Sequence, residues 1–177
     1  MNDKFRLAAK WALLGAVVMI IFNLLMYIVN VPYDSKLRWV GFLVIITVSI
    51  LGSMEYRDKM MKNFASFGQI FGFVMILAII YGLVVSAFSI INVTFIDKEM
   101  VSKILLENEI KFEEQGMEDA QIDMAMQWTK KMMTPMWMFI MGMFSTVLGG
   151  VFIGLPTAAI LAKKRQEEDT ILDHTEE

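Results

Sequence analysis

FGQIFGFVMILAIIYGLVVSAFSIINVTFI, residues 67–96, is a run of thirty residues without a single Asp, Glu, Lys, Arg or His. As a helix rising about 1.5 Å per residue it would be roughly 45 Å long, against a bilayer hydrocarbon core of roughly 30 Å. Such a run either crosses a bilayer at a tilt or projects beyond it. Three further apolar runs surround it, at residues 11–31, 37–54 and 136–162. The chain therefore reads as all-α, an integral membrane four-helix bundle. A helical hairpin, residues 97–135, stands outside the membrane between the third and fourth spans.

Composition agrees. The 177 residues suffice for one compact domain, and a hydrophobic fraction of 56% with mean hydropathy of +0.55 is high for a soluble one. The 20% of charged residues are segregated between the apolar runs rather than dispersed. A net charge of −3 gives no reason to expect a nucleic-acid partner. The absence of cysteine excludes disulfides, thiolate metal sites and a cysteine nucleophile.

Outward from the long run, the first ten residues are short and basic, with Lys4, Arg6 and Lys10. The apolar stretch that follows is too long for a signal peptide and has no small-x-small site after it, so it is read as an uncleaved first span. Val31-Pro32-Tyr33-Asp34-Ser35 is a turn. The second span reaches full length only if Leu37 joins it and Arg38 snorkels to the interface. Residues 55–66 form a polar loop, with Glu55 an interfacial charge.

In the hairpin, nine acidic residues stand against five lysines. Met100, Val101, Ile104, Leu105 and Phe112 share one helical face, and Gly116 ends that helix. Met117, Gln121, Met124, Trp128 and Met132 recur at spacings of three or four along a second helix, and the hairpin is expected to lie against the membrane surface or the tops of the spans with apolar positions exposed. Residues 67–103 are expected to form one unbroken helix that carries the third span into the hairpin. Lys163-Lys164-Arg165 stops the fourth span, and residues 166–177 are an acidic tail expected to be disordered.

Lys and Arg flanking the spans number nine on the side of the termini and the 55–66 loop, and six on the other. The positive-inside rule then places both termini in the cytoplasm and the acidic hairpin outside.

In lipid, helices associate through close packing, so small residues mark contacts. Gly142, Thr146, Gly150, Gly154 and Ala158 recur every fourth position in the fourth span. The third span offers a GxxxG at Gly68 and Gly72, then Gly82 and Ser86. These faces are expected to pack together, with the Gly68/Gly72 end against Gly150, Gly154 and Ala158. Packing within one bundle is the simpler reading, and a homo-oligomer contact is the functional one.

Apart from Arg38 at the edge of the second span, no Asp, Glu, Lys, Arg or His falls inside any run, which argues against a pump or a proton-coupled transporter. Asn23, Gln69, Ser86, Ser89 and Asn92 are the polar intramembrane residues. Bridging neighbouring helices is their bland role, and lining a solute path is the functional one. Seventeen methionines, six of them between Met132 and Met143, have no His or Cys beside them, so packing is favoured over Cu(I) binding. No nucleophile elbow, phosphate loop or metal-ligand spacing occurs, and His174, in the tail, is the lone histidine.

Several segments together resemble a family of four-span membrane proteins found mainly in Bacteroidetes, catalogued as domain of unknown function 4199. They are KNFASFGQIFGF, FSIINVTFIDKEM, EEQGMEDAQID and the terminal AAILAKKR. Family members often have a proline after the acid ending the third span, where this chain has Lys98. The resemblance implies four-span topology and a bacterial inner-membrane location, and supplies no active residues or cofactor. The expected function is non-enzymatic, with association as an oligomer or as a subunit of an envelope complex. The alternative is a small multi-subunit transporter or channel.

Overall fold

The computed structural model of the chain describes residues 3–32 and 35–162, without the side chain of Arg38. Among them are six α-helices and no strands: α1 Asp3–Ile28, α2 Val40–Glu55, α3 Phe67–Ile91, α4 Met100–Glu114, α5 Asp119–Met132 and α6 Pro135–Leu161. Turns of π-helix, Tyr56–Met60 and Asn92–Ile96, extend α2 and α3. Four stretches are long and apolar enough to cross a membrane, namely Asp3–Ile28, Val40–Met60, Phe67–Ile96 and Pro135–Leu161. The chain is an all-α, multi-pass membrane bundle. The expected stop at Lys163-Lys164-Arg165, the acidic tail and the snorkelling of Arg38 lie outside what is described.

Local chemistry sets the helix ends. Asn30 adopts φ 55°, and the Val31 and Asn30 amides donate to the Met26 and Tyr27 carbonyls, both at 3.0 Å. This double-bonded cap ends α1. Gly116 at φ +72° closes α4 likewise, with amides at 116 and 117 reaching Glu113 and Phe112. α3 opens with a capping box, in which the Ser66 hydroxyl accepts from the Gln69 amide and the Gln69 side chain accepts from the Ser66 amide. Gln69 is therefore a cap rather than an intramembrane polar group.

Three other expectations change. α1 begins eight residues before the expected span, because Ala8 is fully buried and draws the basic start into the bundle. The second span runs on to Met60, since Tyr56 is buried and stacks on Phe73 at 4.8 Å. The unbroken helix over 67–103 does not form. Asn92 and its neighbours are π-helical, and Asp97 leaves the helix at φ −114°, ψ 76°. The Asp97 amide still donates to the Asn92 carbonyl, and its carboxylate is buried within 4.0 Å of Lys103. An acid held at the junction turns the chain before α4 can continue the axis.

α3 is the centre of the bundle, packing on α1, α2 and α6. On one side Ala8, Ala12 and Ala16 of α1 pack in a core with Phe73, Leu77 and Tyr81 of α3 and with Ile45 and Val48 of α2. Each of those α1 and α3 triplets repeats every fourth residue, so two smooth stripes run side by side. α2 brings Ser49, Gly52 and Ser53, all buried, to its inner face.

Candidate functional site

α3 and α6 approach each other closely along a seam of small residues. A Cβ added at Gly150 would stand 2.6 Å from the Ala78 Cβ. One at Gly142 would stand 2.6 Å from the Ser86 hydroxyl oxygen, and one at Gly82 would stand 3.0 Å from the Thr146 Cβ. Gly154 faces Phe71 and Val74, while Ala158 is buried with Ile70 and Ala65. The register is antiparallel, with Ala78, Gly82 and Ser86 facing Gly150, Thr146 and Gly142. The Thr146 hydroxyl donates to the Gly142 carbonyl of its own helix at 2.8 Å, and its methyl is left to meet Gly82.

The Gly68/Gly72 pair does not join this seam. A Cβ at Gly68 meets nothing within 4 Å, and one at Gly72 would meet the Lys4 ammonium of α1 at 3.3 Å. The crossing places the fourth-position series of Ala78, Gly82 and Ser86 toward α6, which leaves Gly72 toward α1. The GxxxG spacing is therefore an incidental match here.

Residue 55 is more than an interfacial charge. The Glu55 carboxylate accepts from the Trp11 indole at 2.7 Å, from Lys59 at 2.9 Å and from Lys10 at 3.2 and 3.3 Å. Lys10 also lies over the Trp11 ring, 5.5 Å from its centroid. α2 supplies Glu55, α1 supplies Lys10 and Trp11, and the π-helical turn supplies Lys59 one turn on. A shallow 400 Å³ depression lined by Asp3, Arg6, Lys10, Glu55 and Met60 adjoins the cluster. With three donor groups on one carboxylate, this cluster fastens α1 to α2 and offers no free base. The Lys59 spacing of four was legible in sequence. The Trp11 and Lys10 contacts depend on the antiparallel pairing of α1 with α2, which it does not specify.

The polar intramembrane residues do not converge. Asn23 donates to the Met19 carbonyl one turn back, Ser86 lies under Gly142, and Asn92 donates to the Met100 sulfur at 3.6 Å. Ser89 is half-buried. Among the described residues no group of three or more His, Asp or Glu could hold a metal ion. The methionine-rich stretch is dispersed: Met143 packs toward Gly82, while Met136 and Met141 are exposed.

In the hairpin, α5 turns Ile122 inward, 7% exposed, with Ala125, Met126 and Thr129 half-buried behind it. The Met124–Trp128–Met132 stripe points outward. Met124 is 64% exposed and Trp128 59%, and Met132 continues the line. Lys131 lies over the Trp128 ring, 5.3 Å from its centroid. α5 has two apolar faces, and α4 is wide enough to cover one. Leu106 and Ile110 of α4 are also exposed.

Four apolar spans with α3 at their centre, and a two-helix extramembrane insert, define a four-span α-helical membrane protein. The family model described as "Protein of unknown function (DUF4199)" matches residues 10–163, and the chain belongs to that family. No curated protein and no solved structure matches it.

Proposed function

We propose that this is a non-enzymatic protein of a bacterial inner membrane that acts by association, as an oligomer or as a subunit of an envelope complex. Both termini lie in the cytoplasm and the hairpin lies outside, following the nine-to-six distribution of Lys and Arg. The observation that carries the reading is the exposed Met124–Trp128–Met132 stripe. Trp and Met are favoured at the cores of protein interfaces, and a Met-rich surface adapts to a partner's shape. Contiguous apolar surface held in water marks a contact site.

Transport by several assembled copies has no comparable support, because Asn23, Ser86 and Asn92 are each engaged within the chain. The test is purification of the full chain from its native membranes in mild detergent, with co-purifying proteins identified. A reproducible partner or a defined oligomer is expected. A monomer that brings nothing down reproducibly would count decisively against association.

A further inference from the structure

A cavity of 220 Å³ lies inside the spans, between α2 and α6. Its wall includes Met19 of α1, Gly41 and Ile45 of α2, and Gly142 and Gly149 of α6, with Tyr81 of α3 at its base. Phe42 and Ser145, both exposed, form a mouth that opens sideways into the lipid region. A second apolar cavity of 300 Å³ shares Ile153 and continues the groove between α2 and α6 toward Pro156.

Tyr81 makes this more than a packing gap. It is 5% exposed, its ring edge passes Gly15 of α1, and its hydroxyl has no hydrogen-bond partner among the described residues. An unsatisfied hydroxyl in a bilayer interior is costly, because lipid tails cannot bond to it. Tyr81 also lies at mid-helix, about 21 Å along the axis from Phe67 and about 22 Å from Ile96. Phospholipid carbonyls and phosphates stay at the edges of the roughly 30 Å core, too far out to reach it.

A group that reaches Tyr81 from the lipid must therefore be carried inward by a wholly lipophilic molecule. Polarizable and aromatic walls at Met19, Phe42 and Tyr81 suit a flat ring, and the lateral mouth lets a long tail remain in lipid or follow the second cavity. We infer that this cavity binds the ring of a neutral, long-tailed carbonyl compound of the quinone type, with the Tyr81 hydroxyl donating to a ring carbonyl. This site is independent of the hairpin surface.

The test uses the full chain in phospholipid nanodiscs, with a decyl-substituted benzoquinone as probe and decylbenzene as the tail-matched control without carbonyls. The quinone should raise the thermal unfolding midpoint and bind saturably, at least roughly ten-fold more tightly than decylbenzene. Tyr81→Phe, which removes one neutral hydrogen bond, should weaken quinone binding roughly ten-fold and leave decylbenzene unchanged. Gly149→Leu should abolish binding while the chain still folds, because a Cβ there meets nothing within 4 Å. Equal binding of the two probes, no binding of either, or no effect of Tyr81→Phe would overturn the inference. So would efficient disulfide dimerisation of Gly149→Cys, which in this cysteine-free chain would show a second copy covering the mouth.

Discussion

α6 and α5 are both helices with more apolar surface than they bury, and the meaning of that surface differs between them. α6 touches α3 along one narrow stripe of small residues and leaves Phe144, Leu148, Phe152 and Leu155 exposed. In a bilayer those side chains meet lipid tails as apolar as themselves, so their exposure carries no drive toward a partner. What holds α6 is the fit of Gly142, Thr146 and Gly150 onto Ser86, Gly82 and Ala78. α5 lies outside the spans, where an exposed Trp128 or Met124 gives up hydrophobic stabilisation for as long as it stays uncovered. The same apolar atoms are neutral in one helix and a liability in the other.

The sharpest way to break this contrast lies within α6. Gly150 and Gly149 are adjacent, yet a Cβ at Gly150 would collide with Ala78 while one at Gly149 meets nothing within 4 Å. Gly150→Leu must separate α6 from α3 and is expected to cost about 2–3 kcal/mol, the upper part of the range of core overpacking. Gly149→Leu should stay within about 0.5 kcal/mol of the parent. Unfolding by denaturant titration in detergent measures both. Equal losses at the two sites would mean that α6 is held by apolar burial in general and not by this seam.

A smaller effect is expected at the Glu55 cluster, where the bundle meets water. Glu55→Ala removes the acceptor for the Trp11 indole, a part-buried bond of 2.7 Å, and for two lysines. Its loss should cost about 1–2 kcal/mol, most of it from the orphaned indole. The lysines are 54% and 73% exposed, and such pairs contribute little. Glu55→Gln, which keeps an acceptor for Trp11, should recover more than half of the loss. Thermal unfolding of the three proteins at two salt concentrations checks this, since a loss that vanished in high salt would make the lysines the stronger partners.

These contrasts also show where sequence is a sufficient guide. The spans were legible because an uncharged run of this length has few alternatives, and the Gly116 end was legible because a glycine C-cap is local. Which stripe of α3 meets α6 was not. Gly68/Gly72 carried the familiar spacing, but the contacting series includes Ala78, and choosing between the stripes needs the crossing geometry. The turn at Asp97 was hidden for a similar reason, since an apolar run reports length and not where its hydrogen-bond ladder stops. Tyr81 is not legible as a site in sequence, because one tyrosine in an apolar span gains meaning only from a hydroxyl left without a partner. In α5 periodicity picked out the Met124–Trp128–Met132 stripe, but with two apolar faces on the helix it does not rank which one the neighbours cover.

The smallest effect on stability, and the one that most sharpens the comparison, is expected from the α5 stripe itself. Met124 and Trp128 contribute little to the packing of the isolated chain, so Met124→Ser with Trp128→Ser should move its unfolding free energy by less than about 0.5 kcal/mol. Association should respond far more, because exposed aromatic anchors typically cost 2 kcal/mol or more on truncation, roughly a thirty-fold loss of affinity. The matched change on α6, Phe144→Ser with Phe152→Ser, inverts the expectation. It puts hydroxyls where lipid is the solvent and should leave any hairpin-mediated complex intact. Mild-detergent purification of the two double variants, with complex size read by light scattering, compares them directly. If the α6 variant lost the complex and the α5 variant kept it, the partner would sit on the spans, and the hairpin would be a surface covered by something other than protein.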